Sequence, residues 1–289
     1  MEQHTEEISK KIKEIGNNFN HDVVKEVYSI YKPLLRKINN DHISIHRNLM
    51  YGNNKRNLLD IHYLKDTKPK NMPAVIYLHG GGFTGGNKNA LEDEPDLIHG
   101  NIANFFVNNG FLGINATYRL APEYKYPSGA EDVSKIINFL IENSEKYGIA
   151  IDKIFLFGQS AGASHVASYL FNDSSHIKKF DRLAGCILFS GAYDLNFVHS
   201  NIIEQYYGEN KKKYNQMSSI NFTETICCPL YIFTSEYDPD SFKKQGEKFY
   251  LKLKKDGHSV KFKTIPGHNH LSQVIHLNTG DNSVGPDLI

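Results

Sequence analysis

Tryptophan is absent from the 289-residue sequence, and cysteine is scarce, with three residues at Cys186, Cys227 and Cys228. An odd count in which two cysteines are adjacent does not suit a disulfide framework, because a disulfide between chain neighbours would be strained. We therefore expect reduced thiols, and we interpret the cysteines before the apolar run at 230–234 as part of the core.

An excess of either sign of charge is also missing, since 33 lysine and arginine residues stand against 32 aspartate and glutamate residues. Binding of nucleic acid or of an anionic membrane depends on a positive electrostatic field. The balance therefore predicts neither nucleic acid nor membrane as a partner and favours a small-molecule substrate. The formation of a homo-oligomer is left open.

Long apolar runs are lacking too, and none approaches the roughly 20 residues that cross a lipid bilayer. The N-terminus, Met1 to His4, leads into charged residues rather than into the basic, apolar and small-residue segments of a secretion signal. These features predict a soluble, cytoplasmic protein.

Apolar residues make up 40% of the chain, which is enough for one sizeable core. We expect a single domain over residues 1–289. Apolar side chains at helical spacing over residues 6–37, with a break around Gly16, predict two helices within residues 1–40. These helices are candidates for part of a lid.

The spacing of apolar residues changes at Ile43 to the alternation that is typical of strands. Short apolar runs then alternate with helical stretches, of which residues 131–141 are the clearest. The runs that predict strands are 74–78, 111–116, 154–157, 186–189, 230–234 and 260–265. This alternation predicts an α/β fold with a mostly parallel central sheet of about eight strands and helices on both faces.

Residues 195–225 interrupt the alternation with about thirty residues of weak periodicity. We interpret them as an insertion between two strands. In a sheet of this kind ligands bind beyond the carboxyl ends of the strands. We therefore expect the insertion to form a small lid there, together with the N-terminal helices.

The strongest chemical signal is Gly158-Gln159-Ser160-Ala161-Gly162, directly between a predicted strand and a predicted helix. Small flanking residues let neighbouring backbones approach, so that the serine can occupy a sharp turn with its hydroxyl exposed. A loop without catalytic role is the alternative for so short a motif on its own. The strand–turn–helix context favours Ser160 as a nucleophile.

A second signal is the segment HGGGF at residues 79–83, which follows the predicted strand at 74–78. Backbone N–H groups of successive glycines can stabilise the negatively charged oxygen of an acyl-transfer intermediate. We predict an oxyanion hole formed by the N–H groups of Gly81, Gly82 and Ala161, with His79 in a structural role. A phosphate-binding loop is disfavoured, because no Gly-Lys-Ser/Thr or Gly-x-Gly-x-x-Gly pattern follows.

A serine nucleophile needs a neighbouring base, and the base needs an orienting group. Asp238 follows the predicted strand at 230–234, where Glu236 and Asp240 compete with it. His270 follows the predicted strand at 260–265, and His268 is the reserve choice. We predict Asp238 as the orienting group and His270 as the base, in the chain order serine, aspartate, histidine.

The pair His268 and His270 could also be half of a metal site. Metal sites need further ligands, and no pattern such as His-Glu-x-x-His is present. We therefore predict neither a metal nor an organic cofactor.

Taken together, these segments resemble the hormone-sensitive-lipase-like and arylformamidase-like carboxylesterases among the α/β hydrolases. The resemblance covers roughly residues 58–285 and also includes YRLAPE at 118–123, SGAYDL at 190–195 and GHNHLS at 267–272. It implies an α/β-hydrolase fold, a triad at the positions of Ser160, Asp238 and His270, and an oxyanion hole in the glycine run. One departure is Ala163-Ser164-His165, where these families often have glycine and then histidine.

The expected activity is hydrolysis of carboxylic esters, with small or short-acyl substrates, through an acyl-enzyme intermediate. Cleavage of amides by an arylformamidase is the first alternative, because it would use the same triad. A non-catalytic ligand receptor on the same fold is the second alternative. The intact set of Ser160, Asp238 and His270 argues against it.

Overall fold

A computed structural model of the protein describes residues 2–172, 177–198, 200–224 and 228–289. Within these ranges one sheet of eight strands crosses the molecule in the order β1-β2-β4-β3-β5-β6-β7-β8. The strands are β1 (Ile43–Met50), β2 (Leu58–Leu64), β3 (Met72–Leu78), β4 (Leu112–Ala116), β5 (Ile149–Gln159), β6 (Gly185–Phe189), β7 (Leu230–Tyr237) and β8 (Val260–Asn269).

The pairings of β1 with β2 and of β2 with β4 are antiparallel, and all the others are parallel. The predicted α/β fold with about eight strands is confirmed. The largest difference in strand length is at β5, which begins five residues before the predicted run. The first half of β5 contains Asp152 and Lys153, which are exposed to solvent. That half therefore lacks the apolar pattern from which a strand is predicted.

Helices cover both faces of the sheet, as the strand–helix alternation predicts. The helices are α1 (Glu2–Ile15), α2 (His21–Leu35), α3 (Asn101–Asn108), α4 (Ser128–Glu142), α5 (Ser144–Tyr147), α6 (Ala161–Phe171), α7 (Asn201–Tyr207), α8 (Tyr214–Met217), α9 (Asp240–Lys255) and α10 (Ser272–Ile275). None of the helices in the described ranges is long and apolar enough to cross a lipid bilayer.

Alternate residues of the central strands point to opposite faces and build two cores. On one face Ile76 and Leu156 belong to a core with residues of α4, α6 and α9. On the other face Tyr77 and Phe157 belong to a core with residues of α1, α2 and α3 and of the C-terminal segment. The two N-terminal helices are therefore mainly a layer of the core.

The described residues of the predicted insertion form α7, α8 and short 3₁₀ turns between β6 and β7. Its aromatic residues Tyr206, Tyr207 and Tyr214 form a third buried cluster with Phe83 and Ala161. The residues at 199 and 225 of the predicted insertion lie outside the described residues. The described part thus covers the loop that contains the glycine run.

Cys186 and Cys228 are buried, and their Sγ atoms lie 3.5 Å apart, which is too far for a disulfide bond between them. The expectation of reduced thiols stays a prediction. Cys227 lies outside the described residues.

Several histidines are buried as neutral side chains in this fold. Burial lowers the pKa of His99 to about 4 and the pKa of His165 to about 3. Burial also lowers the pKa of His79 well below its ordinary value, and the neighbouring His99 contributes to the shift. In the unfolded chain such histidines bind a proton near pH 6.5.

We therefore expect the free energy of unfolding to fall as the pH is lowered from about 7 to about 5. The folded protein keeps these three side chains neutral while the unfolded chain binds protons, so each contributes up to about 1.4 kcal/mol per pH unit below pH 6.5. Together they give about 4 kcal/mol per pH unit. Urea unfolding at several pH values measures this slope.

The surface histidine His42 is exposed and provides the control. His42→Gln should leave the slope unchanged, whereas His165→Phe should reduce it by about one third if the variant folds. A free energy of unfolding that stays constant from about pH 7 to about pH 5 would contradict the burial of neutral histidines.

Candidate active site

Ser160 occupies a sharp turn between β5 and α6, with a positive φ of 55° and a ψ of −118°. A Cβ atom at Gly158 would lie 2.5 Å from the backbone nitrogen of Ala163, and one at Gly162 would lie 2.1 Å from the carbonyl oxygen of Leu78. Neither position can accept a side chain. The two glycines let the helix start directly on the sheet, which is the context that favours Ser160 as a nucleophile.

Ser160, His270 and Asp238 form a continuous hydrogen-bonded chain. His270 Nε2 lies 2.8 Å from Ser160 Oγ, and His270 Nδ1 lies 2.7 Å from Asp238 Oδ1. All three side chains are buried. The carboxylate accepts a hydrogen bond from Nδ1–H of His270. The other ring nitrogen, Nε2, therefore carries a lone pair that can accept a hydrogen bond from the hydroxyl of Ser160.

The buried carboxylate of Asp238 has two further donors on its second oxygen. Ser190 Oγ donates to Oδ2 over 2.6 Å, and the backbone N–H of Ser235 donates over the same distance. A buried charge without partners would destabilise the fold by several kcal/mol. These contacts therefore satisfy the second oxygen of Asp238 and hold the first against His270.

The backbone carbonyl of His270 is held from two sides. Gln159 Nε2 donates to it over 2.9 Å and Gln273 Nε2 over 2.8 Å, while Ser235 Oγ donates to Gln273 Oε1 over 2.9 Å. The sequence analysis missed these supporting residues. Their only signal in the sequence is that each is adjacent, or nearly so, to a candidate catalytic residue or to the end of a central strand.

The glycine run follows β3 and lies beside the serine turn. A Cβ atom at Gly80 would lie 3.2 Å from the Cβ of Ser160, and Gly81 has a φ of 144° that a larger residue would not adopt. Within the described part of the chain, the N–H groups of Gly81, Gly82 and Ala161 donate to no protein acceptor. Three backbone donors are therefore available near Ser160.

His79 supports this loop from inside the protein. Its ring is fully buried, stacks on Tyr118 at a centroid distance of 4.4 Å, and has Nδ1 2.7 Å from the carbonyl oxygen of Gly80. These contacts fit the structural role that the sequence analysis assigned to it.

The competing candidates have other partners. His268 Nε2 lies 3.2 Å from Asp281 Oδ2, and Glu236 accepts from the backbone N–H of Gly267. Asp240 is an exposed residue at the start of α9. Among these candidates only His270 and Asp238 join the hydrogen-bonded chain to Ser160.

His165, the departure from the resembled families, packs against α4. A Cβ atom at Gly129 would lie 2.0 Å from His165 Nδ1, so the ring occupies space that this glycine leaves free. Tyr206 OH lies 3.3 Å from the same nitrogen. The unusual histidine is thus accommodated by a glycine in α4 and a tyrosine in the insertion.

Three apolar side chains border the site and come from different parts of the chain. Phe19, in the turn between α1 and α2, packs edge-on against His270 at a centroid distance of 4.6 Å. Phe242 of α9 lies 4.4 Å from the same ring. A Cβ atom at Gly82 would lie 3.1 Å from Ile202 Cγ2 of α7. We call Phe19, Phe242 and Ile202 the apolar rim.

Comparison with known families assigns the chain. The family model named BD-FAE matches residues 59–253, from β2 to α9, and so includes the glycine run, Ser160 and Asp238. The chain belongs to the BD-FAE family. His270 and both N-terminal helices lie outside the matched range, so their part in this family member rests on the geometry described above.

Two curated relatives show what this BD-FAE member is similar to. The kynurenine formamidase of Salmo salar is 27% identical over 246 residues, which are 81% of this chain and 77% of the relative. The acetyl esterase of Salmonella choleraesuis is 31% identical over 133 residues, which are 46% of this chain and 39% of the relative.

Solved structures share the fold of this BD-FAE member. Esterase B from Lactobacillus rhamnosis superposes with a TM-score of 0.74 at 15% identity, covering 100% of this chain and 94% of that one. The hyperthermophilic esterase from Pyrobaculum calidifontis superposes with a TM-score of 0.68 at 19% identity, covering 92% and 88%. The predicted α/β-hydrolase fold is confirmed.

Proposed function

We propose that this protein hydrolyses carboxylic esters, with Ser160 as the nucleophile, His270 as the general base and Asp238 as the group that orients it. The observation that carries the proposal is the buried chain of hydrogen bonds, 2.8 Å and 2.7 Å long, that ends at a serine on a strained turn. Three free backbone N–H groups beside that serine supply the second requirement of acyl transfer.

In the first half of the reaction Ser160 Oγ attacks the ester carbonyl carbon while its proton moves to His270 Nε2. Asp238 stabilises the imidazolium that forms, through the hydrogen bond to Nδ1. The tetrahedral intermediate then collapses, and His270 returns the proton to the departing alcohol. The acyl group remains on Ser160 as an ester.

In the second half a water molecule replaces the alcohol. His270 accepts a proton from the water, whose oxygen attacks the acyl carbon, and the same proton returns to Ser160 Oγ as the carboxylic acid leaves. Ser160 and His270 are thereby restored. The chemistry uses only side chains and backbone groups of this chain.

The negative charge on the carbonyl oxygen appears in both tetrahedral intermediates. We assign its stabilisation to the N–H groups of Gly81, Gly82 and Ala161, because the described residues leave all three without an acceptor. Ala161 is also the first residue of α6, where the helix contributes partial positive charge.

The apolar rim favours small substrates with an apolar acyl or aryl group. Phe19 is 42% exposed and Ile202 is 43% exposed, although both touch residues of the site. Exposed apolar side chains around a polar centre offer surface that a substrate can bury. The lid expected from the N-terminal helices and residues 195–225 stays a prediction, and the contacts of Phe19 in the α1–α2 turn and of Ile202 in α7 support it.

Cleavage of an aryl formamide is the second candidate function. The kynurenine formamidase relatives align with most of this chain, whereas the acetyl esterase relatives align with less than half of it. Both reactions attack an acyl carbon and pass through a negatively charged intermediate. They differ in the leaving group, which is an alcohol in the ester reaction and an amine in the formamide reaction, and the more basic amine depends more strongly on the proton that His270 returns.

The first prediction concerns the nucleophile. Ser160→Ala should lower the rate of 4-nitrophenyl acetate hydrolysis at least about 10³-fold, because no other group in the chain of hydrogen bonds can attack the ester. Ser134→Ala provides a control, because the hydroxyl of Ser134 donates a hydrogen bond to the carbonyl oxygen of Lys178 and takes no part in the hydrogen-bonded chain of Ser160. Release of 4-nitrophenol measures both rates.

Two further measurements sharpen this test. A phosphonate or sulfonyl fluoride probe should add covalently to Ser160, and peptide mapping identifies the labelled residue. Rates for acetyl and butyryl esters and for N-formylkynurenine on one preparation separate the esterase from the formamidase. Equal rates in Ser160→Ala and the parent protein, or labelling at another residue, would defeat the proposal.

A second prediction concerns the oxyanion hole. A Cβ atom at residue 81 would lie 2.1 Å from the carbonyl oxygen of Gly85, so Gly81→Ala must displace the loop. We expect kcat to fall about 10²- to 10³-fold, which is the usual effect of losing one donor.

Gly110→Ala is the matched control for Gly81→Ala. Gly110 also has a positive φ, 86°, but nothing lies within 4 Å of an added Cβ atom. This variant should lose about 1–2 kcal/mol of stability from backbone strain and keep its kcat. If both variants keep the parental kcat, the glycine run does not hold the intermediate.

A third prediction concerns the apolar rim. Phe19→Ala should lower kcat/KM for 4-nitrophenyl butyrate about threefold or more relative to the acetate, mainly through KM, because the longer acyl chain loses apolar surface to bury. Leu251→Ala is the control, since Leu251 is 55% exposed on α9. If the ratio of kcat/KM for the butyrate to kcat/KM for the acetate is the same in Phe19→Ala and in the parent protein, Phe19 does not contact the acyl chain.

A further inference from the structure

A second polar cluster lies immediately behind the loop that contains His270. It consists of His268 at the end of β8 and of His276, Asp281 and Ser283 in the C-terminal segment. One nitrogen from each histidine and one oxygen from Asp281 lie within 4.8 Å of one another. The hydrolytic mechanism uses none of these side chains.

The distances within the cluster match those between ligands of one metal ion. Two atoms that each lie about 2.1 Å from a tetrahedral centre are about 3.4 Å apart. His268 Nε2 lies 3.2 Å from Asp281 Oδ2, and Ser283 Oγ lies 3.1 Å from Nε2 of both His268 and His276. These three separations are close to that spacing, and the ligand atoms of His268, His276 and Asp281 all lie within 4.8 Å of one another.

The other ring nitrogens are engaged as they are in metal-binding histidines. His276 Nδ1 donates to the carbonyl oxygen of Ser272 over 2.9 Å, which leaves the lone pair on Nε2. His268 Nδ1 lies 3.0 Å from Ser272 Oγ. Ser272 therefore orients both rings.

The cluster also has access to solvent. Asp281 is 24% exposed at its side chain, although both histidines are buried. A cavity of about 150 Å³ between the N-terminal helices and the C-terminal segment is lined by His268, Asp281 and Ser283. An ion can therefore reach the donor atoms without unfolding of the core.

We propose that His268, His276 and Asp281 bind one Zn²⁺ ion, with the hydroxyl of Ser283 or a water molecule as the fourth ligand. Two imidazoles and one carboxylate form a ligand set that suits zinc. Zinc is the ion to test, because it needs no redox partner and accepts this mixed set of donors.

The position of the site indicates a structural role. Ser272 Oγ contacts the ring of His268 and also accepts a hydrogen bond from the backbone N–H of Asn269. Ser272 therefore links the cluster to the loop that contains His270. A bound ion would join the end of β8 to the segment at 276–283. We therefore expect zinc to stabilise the folded protein while leaving kcat within about twofold.

The experiment uses the full chain without a histidine tag, stripped with a chelator, loaded with Zn²⁺ and desalted. Elemental analysis should find about one zinc per chain, and zinc should raise the Tm by mass action. Co²⁺ in place of zinc should show the visible absorption of a tetrahedral site. Retention of no zinc by the parent protein, or no change in Tm, would overturn the proposal.

Asp281→Asn keeps the size of the side chain and should weaken zinc binding at least about tenfold, with loss of the Tm increase. Asp287→Asn is the matched control, because Asp287 lies in the same segment and pairs with Lys263 instead. Equal zinc binding by Asp281→Asn and the parent protein would place the ion elsewhere and overturn the assignment. The parent measurements do not depend on either variant folding.

Discussion

The close approach of α6 to the strands beneath it is the constraint on which the site depends. Glycines at 158 and 162 leave no side chain between the helix and the backbone of its neighbours, and Ser160 between them is forced to a positive φ. Such a conformation costs about 1–2 kcal/mol in a residue with a Cβ atom. The packing of α6, and the hydrogen bond from the N–H of Ser160 to the carbonyl of Phe189, maintain it.

The charge of Asp238 is the second constraint, because a fully buried carboxylate must be surrounded by donors. His270, Ser190 and Ser235 fill that need from three different strand ends. The same contacts that satisfy the buried carboxyl group also orient the imidazole toward Ser160. One hydrogen-bonded network therefore both stabilises this part of the fold and sets the geometry of the candidate site.

The N-terminal helices and the C-terminal segment share one face of the sheet. Val27 and Tyr31 of α2 belong to the same buried core as Val274 and Leu277. This core places Phe19 against His270 on one side and closes the cavity beside His268 on the other. The loop between β8 and α10 thus connects the candidate active site at His270 with the proposed zinc site at His268, two residues earlier in the chain.

Much of the fold and the central residues of the site were predictable, because they depend on patterns that are local in the chain. Alternating apolar runs specified the strands, and a serine between two glycines at a strand–helix junction indicated the turn at Ser160. The start of β5 was missed because exposed Asp152 and Lys153 carry no apolar signal, although β5 continues through them between the residues that pair with β3, Ile149 and Ile154.

The sequence by itself determined the α/β architecture, the nucleophile turn and the small set of residues from which a triad could be chosen. Only the tertiary structure decided that His270 rather than His268 faces Ser160, and that His268 meets His276 and Asp281 instead. The same holds for Ser190, Gln273 and Phe19 around the site. These choices depend on which strand ends and turns converge in space, and side chains two residues apart in a loop can point in opposite directions without any change in the local pattern.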